Sequence, residues 1–337
     1  MISPLTSLVA SGPRAGLRVL LHLAVLAIAG LAASAHSQDF PNKPVRLIVP
    51  SPPGGSADIL ARILSDRLGP MWNQPLIVEN KPGAGANIGA DAVAKASPDG
   101  YTLLVAPNNV PTVNQFMTAN MPFDPAKDFA SVTLLGTAPF VLVAGPSFKA
   151  TSVKELIAAA KSKPAGVSYA TAGNGSVHHL MAEMFRSMTQ TPMTHVPYKG
   201  GAPAVVDLIG GTVDVSFSAV TAVLPHIRSG KLTPIAVTGS SRIKDLPNVP
   251  TMIEAGVPGY TADAWIGLLA PAKTPAAVID KINRDVRTVL NDPAVIEKLA
   301  GQGVDVQTTT PADFARRIES ERARWGKVIT EAGIKGD

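Results

Sequence analysis

Val45-Arg46-Leu47-Ile48-Val49-Pro50-Ser51-Pro52-Pro53-Gly54-Gly55-Ser56-Ala57-Asp58-Ile59-Leu60 sets the plan of the chain, and Val167-Ser168-Tyr169-Ala170-Thr171-Ala172-Gly173-Asn174-Gly175-Ser176-Val177-His178-His179-Leu180 repeats it. In both stretches a β-rich run enters a turn of small residues that opens an amphipathic helix. A helix start leaves about four backbone N–H groups unpaired and carries roughly half a positive charge. Placed just beyond the carboxyl end of a strand, and reached through glycines without Cβ atoms, such a start can receive an anion on backbone alone. Two such junctions in separate halves of one chain predict a cleft that holds a carboxylate.

Outward from these junctions, strands and helices alternate. Ile59, Leu60, Ile63, Leu64 and Leu68 form one helical face. Leu76–Val78 reads as a short strand before the Pro- and Gly-rich loop Glu79–Gly85, and a helix around Gly89–Ala96 leads to a buried strand at Tyr101–Ala106. Val132–Leu135 and Phe140–Ala144 read as further strands. Ser152 and Glu155 have capping-box spacing for a helix to about Lys161. Val177, Leu180, Met181, Met184, Phe185 and Met188 share one face of the second junction's helix. Pro203 suits the first turn of a short helix ended by Gly210-Gly211. Thr212–Ser218 and Thr233–Thr238 are β-rich, and Pro275 and Pro311 open two longer helices, the second capped by Thr310. The alternation predicts an α/β fold with parallel sheets covered on both faces and ligands beyond the strands' carboxyl ends.

The N-terminal region reads as an export signal. Arg14 and Arg18 precede an apolar run from Val19 to Ala32, and Ala33-Ser34-Ala35 fits a small-x-small cleavage site. About 14 apolar residues fall short of the ~20 that span a bilayer, so residues 1–35 are expected to be a cleaved signal peptide, with a cut after Ser37 as the alternative. The chain has no cysteine, which excludes disulfides, thiolate catalysis and cysteine-ligated metals. A mature chain of about 300 residues suits two lobes. Its formal charge falls from +5 to +3 once Arg14 and Arg18 are removed, with no basic run, so nucleic acid is not an expected partner.

Several motifs carry a resemblance. Asp39-Phe40-Pro41-Asn42-Lys43-Pro44 before the first junction, Glu79–Ala90, Ser97-Pro98-Asp99-Gly100-Tyr101-Thr102-Leu103-Leu104, the stretch Gly173–Leu180, Val196-Pro197-Tyr198-Lys199-Gly200 and Gly210-Gly211-Thr212-Val213-Asp214 together resemble the Bug-type solute receptors. Those are the extracytoplasmic binding proteins of tripartite tricarboxylate transporters, and the similarity spans the mature chain. It implies a two-lobed, Venus-flytrap fold of the type II-like periplasmic binding-protein kind, with a mostly parallel sheet in each lobe and the ligand between them. It further implies lobe one at 38–139 and 263–337, lobe two at 140–262, and hinges near Ala138–Phe140 and Asp263–Trp265. The family binds small carboxylates, amino acids or aromatic acids through backbone amides, small hydroxyls and water. Its helix-opening loops correspond to Ser51–Asp58, including Pro53, and Ala172–Ser176. Two positions depart from the family: Ser51 stands where an aromatic is usual, and Pro107-Asn108-Asn109 where small hydroxyl residues are common.

The expected ligand contacts are then as follows. Gly54, Gly55 and Ser56 present N–H groups from one lobe, with Ser56 also capping its helix. Gly173, Gly175 and Ser176 do so from the other, with Ser51, Pro53, Asn109 and Ala172 beside them. Asp58 either complements the helix dipole or meets a ligand donor. Tyr198 closes over the ligand or is a buried phenol with one partner. Asp214 faces a polar site or ties down a neighbouring loop, and Ser218 ends its strand within reach of ligand. His178 and His179, with Ser176 and Asp214, raise the alternative of an exported serine esterase, but the Gly-x-Ser-x-Gly elbow is absent. Adjacent histidines also lack the i, i+4 spacing of a zinc site. The expectation is a monomeric periplasmic receptor, not an enzyme, without cofactor or metal. It delivers a di- or tricarboxylate, an acidic amino acid or an aromatic acid to membrane transporter subunits; a sensor kinase is the alternative partner.

Overall fold

Val45, Leu47, Ile48 and Val49 are all but inaccessible to solvent, as a strand covered on both faces requires. A computed structural model describes residues 40–335, and the expected signal peptide lies outside them. The elements fall into two groups around two sheets. The first group is β1 (Val45–Val49), α1 (Ser56–Trp72), β2 (Leu76–Asn80), a 3-10 turn (Ala84–Ala86), α2 (Asn87–Ala94), β3 (Thr102–Pro107), α3 (Asn109–Thr112), α4 (Asn114–Met117) and β4 (Phe129–Ala138). The second is β5 (Phe140–Ala144), α5 (Val153–Ser162), β6 (Val167–Thr171), α6 (Val177–Thr189), β7 (Met193–Pro197), α7 (Gly201–Ile209), β8 (Val215–Ala219), α8 (Val220–Arg228) and β9 (Thr233–Val237). The chain then rejoins the first sheet with β10 (Ala264–Pro271), α9 (Ala276–Leu290), α10 (Pro293–Ala300), β11 (Asp305–Val306) and α11 (Pro311–Ala332).

The first sheet has the order β11-β4-β10-β3-β1-β2 and the second β7-β6-β8-β5-β9. Strands β1, β2 and β3 are mutually parallel, and β10 lies antiparallel between β3 and β4. In the second sheet β6, β7 and β8 are parallel, while β5 runs against both β8 and β9. At the edge of the first sheet the two-residue β11 runs against β4, and inside each sheet a parallel set is interrupted by one reversed strand. That strand is the first one laid down after the chain crosses from the other sheet. The two crossings lie side by side: Ala138 pairs with Ala264, and the Phe140 carbonyl accepts from the Thr238 N–H at 3.0 Å.

Caps explain where several helices begin. Ser176 Oγ accepts from His179 N–H, and Thr310 Oγ1 accepts from Asp313 N–H. Ser152 Oγ accepts from Glu155 N–H, but the Glu155 carboxylate reaches past the cap to the Thr151 N–H and hydroxyl. Ser56 does not cap α1: Gly55 occupies the cap position and no side chain bonds there.

Helix α11 serves both sheets. Phe314 and Ile318 pack with Trp265, Leu104 and Ile48 in the first core. Trp325, Val328 and Ile329, further along the same helix, pack with Leu180, Met181, Met184 and Phe185 in the second.

Candidate functional site

Because β1 and β3 are adjacent and parallel, the segments that follow them leave the same edge of the first sheet. After β3 the chain makes two single-turn helices, α3 and α4, whose Asn108, Asn109, Val113, Asn114, Met117 and Thr118 wall a cavity of about 680 Å³. The 3-10 turn contributes Ala84 and Gly85, and α2 contributes Asn87. Across the gap stand Asn174, Gly175, Ser176 and Val177, the second glycine junction at the start of α6. Among the described residues no charged side chain lines it. Met117 meets Gly175 directly, since a Cβ on that glycine would sit 2.5 Å from the methionine methyl carbon.

Hydrogen bonding decides which groups of the junction remain available. Gly175, at φ +68°, donates its N–H to His179 Nδ1 at 3.1 Å. Gly173 N–H donates to Thr171 Oγ1, and Ser176 N–H to the Gly173 carbonyl. The Ser176 hydroxyl also donates to that carbonyl, at 2.7 Å. The amides of Gly173, Gly175 and Ser176, expected to face a ligand, are therefore spent on the turn itself. The N–H groups of Asn174, Val177 and His178 find no partner among the described residues. These form the electropositive start of a 13-residue helix.

Behind the junction, His179 stacks on His195 at 3.9 Å between ring centroids, and His195 stacks on Tyr169. Burial holds His179 down to about 4, reinforced by His195, so it is neutral near pH 7 and its Nδ1 keeps a lone pair for Gly175. Tyr169 donates to Glu183 at 2.5 Å, and Glu183 pairs with Arg186.

The first junction does not line this cavity. Gly54, at φ +90°, donates its N–H to Asp58 Oδ2 at 2.9 Å, so it is not an open donor as expected. Asp58 is 2% exposed and also accepts from Arg62 and Asn80, which makes it the anchor of this turn. Pro53, Gly54 and Gly55 are exposed, and a Cβ on Gly54 would meet open space. The Ser51 carbonyl accepts from Asn80 Nδ2, while its hydroxyl is buried without a partner among the described residues.

The remaining candidates lie elsewhere in the second group. The Tyr198 hydroxyl donates to Asp207 at 2.7 Å, and burial pushes the phenol up to about 12. Asp214 accepts from the Ser168 N–H and hydroxyl, both at 2.8 Å, tying β6 to the segment before β8. Ser218 is 3% exposed and bonds to Ser216, and the Ala172 carbonyl accepts from Gly200 N–H. Ser176, His179 and Asp214 form no relay, because Ser176 receives the main-chain N–H of His179 while Asp214 serves Ser168. Of the candidate residues, Asn109, Gly175 and Ser176 meet at the cavity. Asn87, Asn108, Asn114, Met117, Asn174 and Val177 join them without having been singled out from sequence as contacts. The only sequence signal for the asparagines was the unusual Asn108-Asn109 pair.

Residues 60–334 match the family model described as the tripartite tricarboxylate transporter family receptor, TctC. The chain belongs to that family. Protein BugT of Bordetella pertussis is 40% identical over 311 residues, covering 92% of this chain and 95% of that protein. A Rhodopseudomonas palustris protein solved with adipate is 36% identical, with a TM-score of 0.71 over 88% of this chain and 99% of that one. MatC from Rhodopseudomonas palustris, solved with bound malate, is 32% identical, with a TM-score of 0.67 over 86% and 100%. The chain is thus a solute-binding receptor with the two-lobed binding-protein fold, not an enzyme.

Proposed function

We propose that this receptor captures a small organic carboxylate in the periplasm and delivers it to a membrane transporter of the tripartite tricarboxylate type. The observation that carries the reading is the start of α6 opening onto the interlobe cavity, where Asn174 and Val177 line it and their main-chain N–H groups, with that of His178 behind them, have no partner among the described residues. An anion there meets the helix dipole and short charge-assisted hydrogen bonds, each worth on the order of 1.5–3 kcal/mol. The adipate and malate of the two structural relatives support the same chemical class.

In this proposal residues 38–139 and 263–337 form one lobe and 140–262 the other, with the paired crossings at Ala138–Phe140 and Asp263–Trp265 as hinges. Closure brings the exposed first junction, at the same sheet edge as the asparagine wall, toward the ligand. Gly55 and Ser56 then add first-turn N–H groups from the opposite side.

Calorimetric titration of refolded, ligand-free protein with a panel of mono- and dicarboxylates tests this. Gly175→Val drives a branched side chain into Met117 at a positive φ, so binding is expected to vanish while the fold survives. Gly55→Val, at φ −78°, is expected to weaken binding at least tenfold. Retained affinity in both variants refutes the site. Co-purification with transporter subunits from detergent-solubilised membranes tests the partner, and capture of a sensor kinase instead overturns that half of the proposal.

A further inference from the structure

The Asn109 side chain presents its amide oxygen, not its N–H, to whatever enters the cavity. Asn109 Nδ2 donates to the Gly85 carbonyl at 2.9 Å and to Asn114 Oδ1 at 3.0 Å. Asn114 Nδ2 donates to the same Gly85 carbonyl at 2.8 Å and to Asn87 Oδ1 at 2.6 Å. A backbone carbonyl only accepts, so it fixes which end of each amide is nitrogen and removes the usual ambiguity between the two orientations. With both hydrogens of Asn109 spent inward, its Oδ1 has no donor among the described residues. Asn108, 8% exposed, spends one Nδ2 hydrogen on the Asp263 main-chain carbonyl at 3.5 Å, and its Oδ1 has no donor among the described residues.

The cavity is therefore chemically two-sided. One wall supplies main-chain N–H groups at the start of α6, and the side chain of Asn109 supplies an amide oxygen on the other. A carboxylate oxygen set against Asn109 Oδ1 would place two acceptors face to face with no hydrogen between them. A hydroxyl or ammonium there satisfies both partners. On the carboxylate reading above, we infer that the preferred ligand is a carboxylate bearing a hydrogen-bond donor, a hydroxy or amino acid, with Asn109 Oδ1 receiving that donor. Val113 and Met117 leave an apolar strip between the poles, suited to a short carbon chain.

Calorimetry on ligand-free protein with matched pairs tests this: lactate against propionate, and malate and aspartate against succinate. The hydroxylated or aminated member of each binding pair is expected to bind about tenfold tighter, the worth of one added hydrogen bond. Asn109→Ala is expected to erase that preference, lowering the affinity of the substituted acid about tenfold more than that of its unsubstituted partner. An unsubstituted acid that binds wild-type protein as tightly as its substituted partner overturns the inference and leaves the carboxylate reading standing. A preference that survives in Asn109→Ala overturns the assignment to this residue. If no acid in the panel binds, the carboxylate reading itself fails, and this inference with it.

Discussion

Removing the Asp58 carboxylate should loosen the first junction, and the size of the effect follows from its surroundings. The side chain is 2% exposed and accepts four hydrogen bonds: from Gly54 N–H, from Arg62 Nε and Nη2, and from Asn80 Nδ2, all between 2.9 and 3.0 Å. The Arg62 guanidinium, with Gly54 and Asn80 adding to it against the opposing effect of burial, holds the carboxyl down to about 2 from its ordinary 3.8. That gap corresponds to about 2 kcal/mol of folding stability. Because folding depresses this pKa, the contribution is complete above pH 3.8 and is lost as pH falls toward 2. Asp58→Ala also takes an acceptor from the exposed Gly54 N–H and from half-buried Asn80, which keeps the Ser51 carbonyl, while Arg62 is half exposed and finds water. A net loss of about 2–3 kcal/mol is expected, or roughly 3–5 °C in Tm for a chain of this size. Thermal melts of wild type and variant followed by circular dichroism give the difference directly. It should stay constant from pH 8 to pH 5, where the carboxylate is ionised in both folded and unfolded chains. A difference below 2 °C, or one that already shrinks between pH 7 and pH 5, refutes the assignment.

Two further outcomes follow from other sites. His179 is buried and held at about 4, below its ordinary 6.5, so its contribution to stability is complete above pH 6.5 and is lost as pH falls toward 4. Protonation also takes from Gly175 its acceptor, and the fall in Tm between pH 7 and pH 4.5 should be steeper in wild type than in His179→Phe. Gly267→Ala places a methyl 2.1 Å from Phe314 Cζ in the first core, an overpacking expected to cost about 1–3 kcal/mol. Adding Phe314→Leu should recover part of it, and melts that show no recovery disprove the steric cause.

The two strand–turn–helix junctions were legible because apolar runs, small residues and amphipathic spacing all point to the same local structure there. Ser152 and Thr310 cap as their positions predicted. Strand β7 was not read as a strand: Met193-Thr194-His195-Val196-Pro197 lies at a sheet edge, half exposed, and never shows a continuous apolar run. Helix α8 carries Pro225 inside it, which reads as a break. Thr212–Asp214 reads as strand by composition, but β8 starts only at Val215, after Asp214 has turned to Ser168. At the site, spacing could place glycines on a turn but not say which of their N–H groups the turn consumes. Asp58 takes Gly54 and His179 takes Gly175, and both outcomes depend on side-chain direction. The asparagine wall draws on residues from Gly85 to Asn114 that meet only through tertiary packing.

Helix α11 has a consequence for anyone wishing to dissect this protein. Trp325, Val328 and Ile329 complete the hydrophobic interior around Met181 and Phe185, yet they arrive at the far end of the polypeptide, long after the second sheet is finished. A fragment cut cleanly at the two crossings, residues 140–262, would carry all five strands of that sheet and still lack one wall. Neither half is a module that could be excised, swapped or expressed without the shared helix.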